Sequence, residues 1–155
     1  MKIRILTVGK LDNKHYKALS ELYLKRISHY LSVSSDHIKA ERIASLSASE
    51  IKSRESKKLL QRLPRDEYVI ALDRTGKQLA SEEFAQMFDE LSFRGRKKIT
   101  FVIGGPIGLD DEILRRADLV LSLSEMTFAH ELVSVILLEQ IYRALTILRG
   151  EQYHK

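Results

Sequence analysis

Ten residues, Thr100 to Leu109 (TFVIGGPIGL), constrain this chain more than any other stretch. Thr100, Phe101, Val102 and Ile103 are the β-branched and aromatic run of a buried strand, and Gly104, Gly105 and Gly108 leave its end without side chains, so that something can approach bare backbone. Asp110 and Asp111 can cap a helix starting near Glu112. The loop then lies at a strand's carboxyl end, where open α/β sheets bind ligands. The same residues also suit a tight strand-to-helix turn that binds nothing.

The rest of the chain alternates in the same way. Lys2 to Val8 sets Ile3, Ile5 and Thr7 against charged neighbours and breaks at Gly9, as a first strand does. From Asn13 to Tyr30, Tyr16, Leu19, Tyr23, Ile27 and Tyr30 share one helical face; the tyrosines suit a core or stacking on RNA bases. His37 to Ile43 reads as a short amphipathic strand. Ser47 and Glu50 form a capping box for a helix over Ile51 to Leu63, whose Lys52, Arg54, Lys57, Lys58 and Arg62 suit either a solvated face or an RNA footprint.

Tyr68 to Leu72 (YVIAL) is a second buried strand, stopped by the turn residues Asp73 to Gly76. Gly76-Lys77 lacks the preceding glycine and following Ser/Thr of a P-loop. Ser81 is placed to cap a helix with the stripe Phe84, Met87, Phe88 and Leu91. Arg94 to Lys98 is a basic turn that suits phosphate or solvent, and Leu119 to Leu123 is a further strand. Alternating strands and helices predict an α/β fold with a parallel sheet, and 155 residues fit a single domain over 1–155.

The last helix, Thr127 to Arg149, is apolar around much of its circumference: Val133, Ile136, Leu137, Ile141, Ala144, Leu145 and Leu148 form one stripe, with Leu132, Val135 and Leu138 outside it. Such a helix is central in its own fold or buried against another subunit, and with little chain left to cover it the subunit interface is expected. Glu139 and Arg143 are spaced to pair, and Gly150 is placed to end the helix before a polar tail.

Composition removes several alternatives. The chain has no cysteine, which excludes disulfides, thiolate metal sites and cysteine nucleophiles. Its five histidines are scattered without metal-ligand spacing, so no metal is expected. No apolar run exceeds five residues, which predicts no membrane span and a cytoplasmic protein. A net charge of +5 favours a polyanionic partner.

Taken in order, LDRTGK (Leu72 to Lys77), SEEFA (Ser81 to Ala85), IGGPIGL (Ile103 to Leu109), LSLSEMTFAHEL (Leu121 to Leu132), LLEQIYRA (Leu137 to Ala144) and the terminal YHK resemble the bacterial large-subunit ribosomal RNA pseudouridine N3-methyltransferases, a family of the SPOUT class. The resemblance spans essentially the whole chain. It implies a single-domain parallel-sheet SPOUT fold with a C-terminal trefoil knot, a homodimer, S-adenosylmethionine as methyl donor, and as substrate a pseudouridine in helix 69 of 23S rRNA within the assembled 70S ribosome. By motif it implies that Leu72, Gly104, Leu123, Ser124, Glu125, Met126, Thr127 and Phe128 surround the cofactor. Ser134 stands where the family pattern has arginine, so a basic contact to RNA is expected to be missing.

The same resemblance directs attention to Arg143, Tyr153 and His154. Pseudouridine N3 carries an imide proton that must leave before the nitrogen can accept a methyl group. His154 is the natural general base, with Arg143 stabilising the deprotonated ring or a phosphate and Tyr153 stacking or hydrogen bonding. Two other classes stand against this reading. One is a ribosome-binding protein without activity; the other is a dinucleotide enzyme, although no G-x-G-x-x-G occurs.

Overall fold

The computed structural model describes residues 1–42 and 46–154. Its elements in chain order are β1 (Lys2–Val8), α1 (Lys14–Ser28), β2 (Ser32–Ile38), α2 (Ala48–Gln61), β3 (Tyr68–Gln78), α3 (Ser81–Phe93), β4 (Lys98–Ile103), α4 (Asp111–Arg116), β5 (Leu119–Ser122) and α5 (His130–Leu148). The five strands form one sheet in the order β2-β1-β4-β3-β5, and every pairing is parallel, as the alternating sequence predicts. Register aligns the carboxyl ends: Val8 lies beside Ile38, Thr7 beside Ile103, and Leu72 beside both Ile103 and Leu121.

Both faces of the sheet are covered, which explains why the inner strands read as unbroken apolar runs. Ile3, Ile5, Ile70, Phe101 and Leu121 pack with α1, α3 and α5, while Leu6, Val8, Val69, Ala71 and Val102 pack with Leu59 of α2 and Ile113 of α4. β1 therefore does not alternate apolar and polar as expected. Leu6 and Val8 are as buried as Ile3 and Ile5, and Thr7 is only half-buried.

Other expectations need correction. The second strand lies at Ser32–Ile38, five residues before the predicted 37–43, because Val33 and Ile38 supply the apolar contacts; Ile43 lies outside the described residues. The strand at Tyr68 does not stop at Asp73. Residues 73–76 bulge, and Lys77 and Gln78 pair with β5 again. Gly76 permits this, since a Cβ there would sit 2.7 Å from the backbone of Val120 and Leu121. The capping box at Ser47 and the Asp110 cap are present, but Ser81 caps nothing. It donates to Gln140 of α5 at 3.0 Å, while Glu83 reaches back to the Ala80 N–H.

α5 is the centre of its layer, packed between α1 and α3. Val135, Leu137, Leu138, Ile141, Ala144 and Leu145 are buried within this one chain, so the apolar surplus of the helix is largely taken up by its own core. Leu132, Val133 and Ile136 stay half-buried and Leu148 exposed, so the part of the helix left for a second subunit is smaller than the sequence suggests. The tyrosine face of α1 is likewise internal in part, with Tyr23 and Tyr30 against Tyr142. Glu131 fixes the start of α5 to that of α1 by accepting the Asp12 and Asn13 N–H groups at 3.2 and 3.1 Å.

Candidate active site

The bulge of β3 and the carboxyl ends of β4 and β5 converge on a cleft of about 430 Å³. That volume lies within the range of small-molecule sites. Its walls are the apolar strand ends Leu72, Ile103 and Leu121, the glycine loop, and the loop after β5 with Leu123 and Phe128. Gly108, at φ +85°, closes a turn by donating to the Gly105 carbonyl at 2.9 Å. The turn folds back so closely that a Cβ on Gly104 would meet the Gly108 backbone at 2.8 Å and the Leu109 nitrogen at 3.0 Å. Glycine is required at 104 because the loop packs on itself there. A side chain at this position would displace the loop before it filled any space meant for a ligand.

Of the eight residues expected around a cofactor, Leu72, Gly104, Leu123, Ser124, Met126, Thr127 and Phe128 line this cleft; Glu125 is exposed and outside it. Four polar residues at the cleft escape the sequence reading: Lys52, Asp73, Arg74 and His130. Asp73 and Arg74 adjoin Leu72 and could have been found as part of the turn. Lys52 comes from α2, and no local signal in the sequence links it to a loop fifty residues on. Behind the loop sits Glu55, 4% exposed, whose carboxylate accepts the Glu41 N–H at 3.0 Å and whose other oxygen would lie 3.4 Å from a Cβ on Gly105. Burial pushes its carboxyl above the usual glutamate range.

Arg143, Tyr153 and His154 form a separate cluster. α5 ends in a Schellman motif: Gly150, at φ +66°, donates to Ile147 and Glu151 donates to Thr146. The motif turns the tail back onto α5 and α3. Glu139 Oε1 accepts from Arg143 Nη2 at 2.5 Å and from the Tyr153 hydroxyl at 3.0 Å. The Tyr153 ring packs edge-on to Tyr142 with centroids 4.7 Å apart, under the Arg143 guanidinium at 4.8 Å. Burial and the neighbouring Tyr23 and Glu139 raise the Tyr153 phenol well above its ordinary value, and the Glu139 hydrogen bond raises Arg143 further, so one stays neutral and the other charged.

His154 is held at both nitrogens. Arg143 Nη1 lies 3.3 Å from Nδ1, and Glu82 Oε1 lies 2.9 Å from Nε2. Since arginine only donates, the matching neutral tautomer accepts at Nδ1 and donates from Nε2 to Glu82. Glu139 and Glu82 complete this cluster, although their sequence context suggests no more than an ion pair and a first helical turn.

Within one chain the two groups are apart. The last α5 residue at the cleft is Val133, and Arg143 lies ten residues further on, about 15 Å along the axis. None of Arg143, Tyr153 and His154 lines the cleft. Ser134, expected at an RNA surface, is buried in the single chain at 4% exposed. No group of three or more His, Asp or Glu among the described residues could hold a metal ion.

The fold is shared with solved methyltransferases. The chain resembles the tRNA (m1G37) methyltransferase of Aquifex aeolicus (TM-score 0.53, 15% identity, all of this chain and 75% of that one) and a probable methyltransferase of Bordetella pertussis (TM-score 0.54, 11% identity, 93% and 96%). Residues 1–154 match the family model described as "Predicted SPOUT methyltransferase", and the chain belongs to the SPOUT methyltransferase family. Among curated relatives it is 43% identical, over the full length of both proteins, to Ribosomal RNA large subunit methyltransferase H of Carboxydothermus hydrogenoformans. The protein of the same name from an Exiguobacterium species is 45% identical, again over both full lengths.

Proposed function

We propose that this chain methylates N3 of a pseudouridine in helix 69 of 23S rRNA on the assembled ribosome, with S-adenosylmethionine as donor, as a cytoplasmic homodimer folded as one knotted domain. The observation that carries the reading is the cleft, built where the bulge of β3 meets the carboxyl ends of β4 and β5. The full-length relatives named as ribosomal RNA methyltransferases support it.

The cleft fits the donor. Leu72, Ile103, Leu121, Leu123 and Phe128 offer apolar walls for an adenine, and the glycine loop and Ser124 offer backbone groups for its polar edge. S-adenosylmethionine, when bound, supplies an electrophilic methyl group. The chain's own residues supply the rest. His154 takes the imide proton at Nδ1, which requires that the Arg143 contact be given up; Arg143, permanently charged, then faces the resulting anion. Tyr153, kept neutral, offers a ring to stack on or a hydroxyl to donate.

A tail that lies about 15 Å along α5 from its own cleft suits a site completed by a second copy. Leu19 and Leu22 of α1 remain 41% exposed and Leu148 of α5 44% exposed, which gives such a copy apolar surface to cover. What supports the knot is the match to the SPOUT methyltransferase family.

Calorimetric titration with S-adenosylmethionine and with NAD, followed by label transfer to 70S ribosomes, tests the reading. Binding of the first alone, with label on one pseudouridine, is expected. Binding of neither would leave a ribosome-binding protein, and binding of NAD a different enzyme.

A further inference from the structure

Lysine and arginine exceed aspartate and glutamate by five, 26 against 21, and the whole excess lies in one segment. Residues 39–65 hold eight basic and three acidic residues, which leaves eighteen of each in the rest of the chain. The fold concentrates part of that segment at the edge of the sheet that carries the cleft. β2 ends there at Ile38 and α2 starts there at Ala48, and Lys39, Arg42, Arg54 and Lys58 surround a hollow with Glu41.

Glu41 does not neutralise this hollow on its own behalf. It is bound by Lys58, whose Nζ also donates to the Lys39 carbonyl at 3.1 Å, and that pairing holds the Glu41 carboxyl below its usual range. Among the described residues the ion pairs engage none of Lys39, Arg42, Lys52, Arg54 and Lys57. Lys52, two residues before Arg54, lines the cleft itself, so the first turns of α2 join hollow and cleft.

The basic turn 94–98 differs in place and, in part, in pairing. It leads into the amino end of β4, about 17 Å of strand away from the glycine loop, and Lys98 and Arg94 are paired with Asp66 and Glu90. Arg96 and Lys97 have no ion-pair partner among the described residues, so the two surfaces differ chiefly in place: cations beside the cleft can hold the backbone of a substrate whose base enters it, and cations at the far end of the strands cannot.

We propose that Lys39, Arg42 and Arg54 form a docking site for RNA phosphates, which holds the substrate's backbone while the target base enters the cleft. The proposal rests on the RNA-methyltransferase reading above. Phosphate contacts of this kind set register and affinity and leave base selection to the cleft.

The test compares two triple variants of equal charge change, Lys39→Gln/Arg42→Gln/Arg54→Gln and Arg94→Gln/Arg96→Gln/Lys97→Gln, in binding to 70S ribosomes across a salt series, with donor affinity measured alongside. The first triple is expected to weaken ribosome binding at least tenfold at low salt. It should also reduce the slope of log affinity against log salt by about two to three, since each phosphate that is no longer neutralised takes away roughly 0.7 to 0.9. Donor affinity and kcat at saturating ribosome should stay the same. The second triple should bind within twofold of wild type. Equal losses in both triples would reduce the effect to net charge and overturn the proposal, as would an unchanged first triple. A photo-crosslinker at position 42 should label rRNA; labelling of a ribosomal protein instead would also overturn it. If the wild type binds neither donor nor ribosomes, the functional reading itself fails and the docking site falls with it. Normal donor and ribosome binding in both wild type and first triple would sink only the docking site.

Discussion

Tyr153 donates its hydroxyl to Glu139 Oε1 at 3.0 Å, so the chain's tail is tied to the same carboxylate that pairs with Arg143 one turn along α5. The tail is therefore part of the packed structure and not a solvated end. Deleting residues 153–155, the last of which lies outside the described residues, removes this hydrogen bond, the aromatic contact with Tyr142 and the exposed pairing of His154 with Glu82. The hydrogen bond and the aromatic contact together are worth about 1–3 kcal/mol, and the expected signature is a melting temperature lower by several degrees. Donor affinity should be unchanged and methyl transfer lost. Full activity in the truncated protein would remove the catalytic role. Mixing truncated subunits with Gly104→Val subunits should restore part of the activity if each site draws on two chains, because one site of the mixed dimer keeps both an intact loop and an intact tail.

Gly104→Val is expected to lose stability and donor binding together. Its Cβ would press on the Gly108 and Leu109 backbone, and overpacking of this kind costs about 1–3 kcal/mol. Thermal melts and calorimetry on the same preparation check this. A fully stable variant that has lost only its donor affinity would mean that the loop is looser than its packing indicates.

Glu55→Gln should stabilise the protein at neutral pH and lose that advantage in acid. The folded-state pKa of Glu55 is raised by burial above its unfolded value. Protonated Glu55 therefore favours the folded state, and this contribution is complete below the unfolded pKa and is lost as pH rises through the folded pKa. Glutamine keeps the acceptor for the Glu41 N–H and never ionises. The difference in melting temperature between variant and wild type, followed from about pH 4 to about pH 8, should grow with pH. A constant or falling difference would show that burial does not set this carboxyl.

For assembly, Leu145 is a poor probe, because at 8% exposure it belongs to the chain's own core and Leu145→Asp should unfold the protein. Leu19 and Leu22, three residues apart on α1, are the better pair. Leu19→Lys with Leu22→Lys should give folded monomers in sedimentation at micromolar concentration. A dimer that survives both charges would place the interface elsewhere.

What is legible in the sequence follows from how local each signal is. Strands buried on both faces announce themselves, so Tyr68 to Leu72 and Thr100 to Ile103 stand out at once, and the turn at Gly104 to Gly108 marks the cleft. β2 is misplaced by sequence reasoning because its residues, SVSSDHI, hold only Val33 and Ile38 as apolar contacts, and a strand with so little pattern can slide along the sequence. The burial of α5 is hidden because its two covering helices, α1 and α3, lie far away in the chain. Lys52 and Glu55 are invisible as neighbours of the glycine loop for the same reason: strand order, which no local pattern encodes, brings them there.

The position of α5 also sets a condition on biosynthesis. Leu137, Leu138, Ile141, Ala144 and Leu145 complete the cluster that holds Ile3, Ile5 and Ile27, so the first strand and helix to leave the ribosome lack part of their packing until residues made more than a hundred positions later. A nascent chain still short of residue 130 has an open sheet face and an α1 with nothing to cover its tyrosines. Non-local closure of this kind is slow and leaves apolar surface open in the meantime. Nascent chains stalled before α5 should therefore be protease-sensitive and chaperone-bound, whatever the stability of the finished protein.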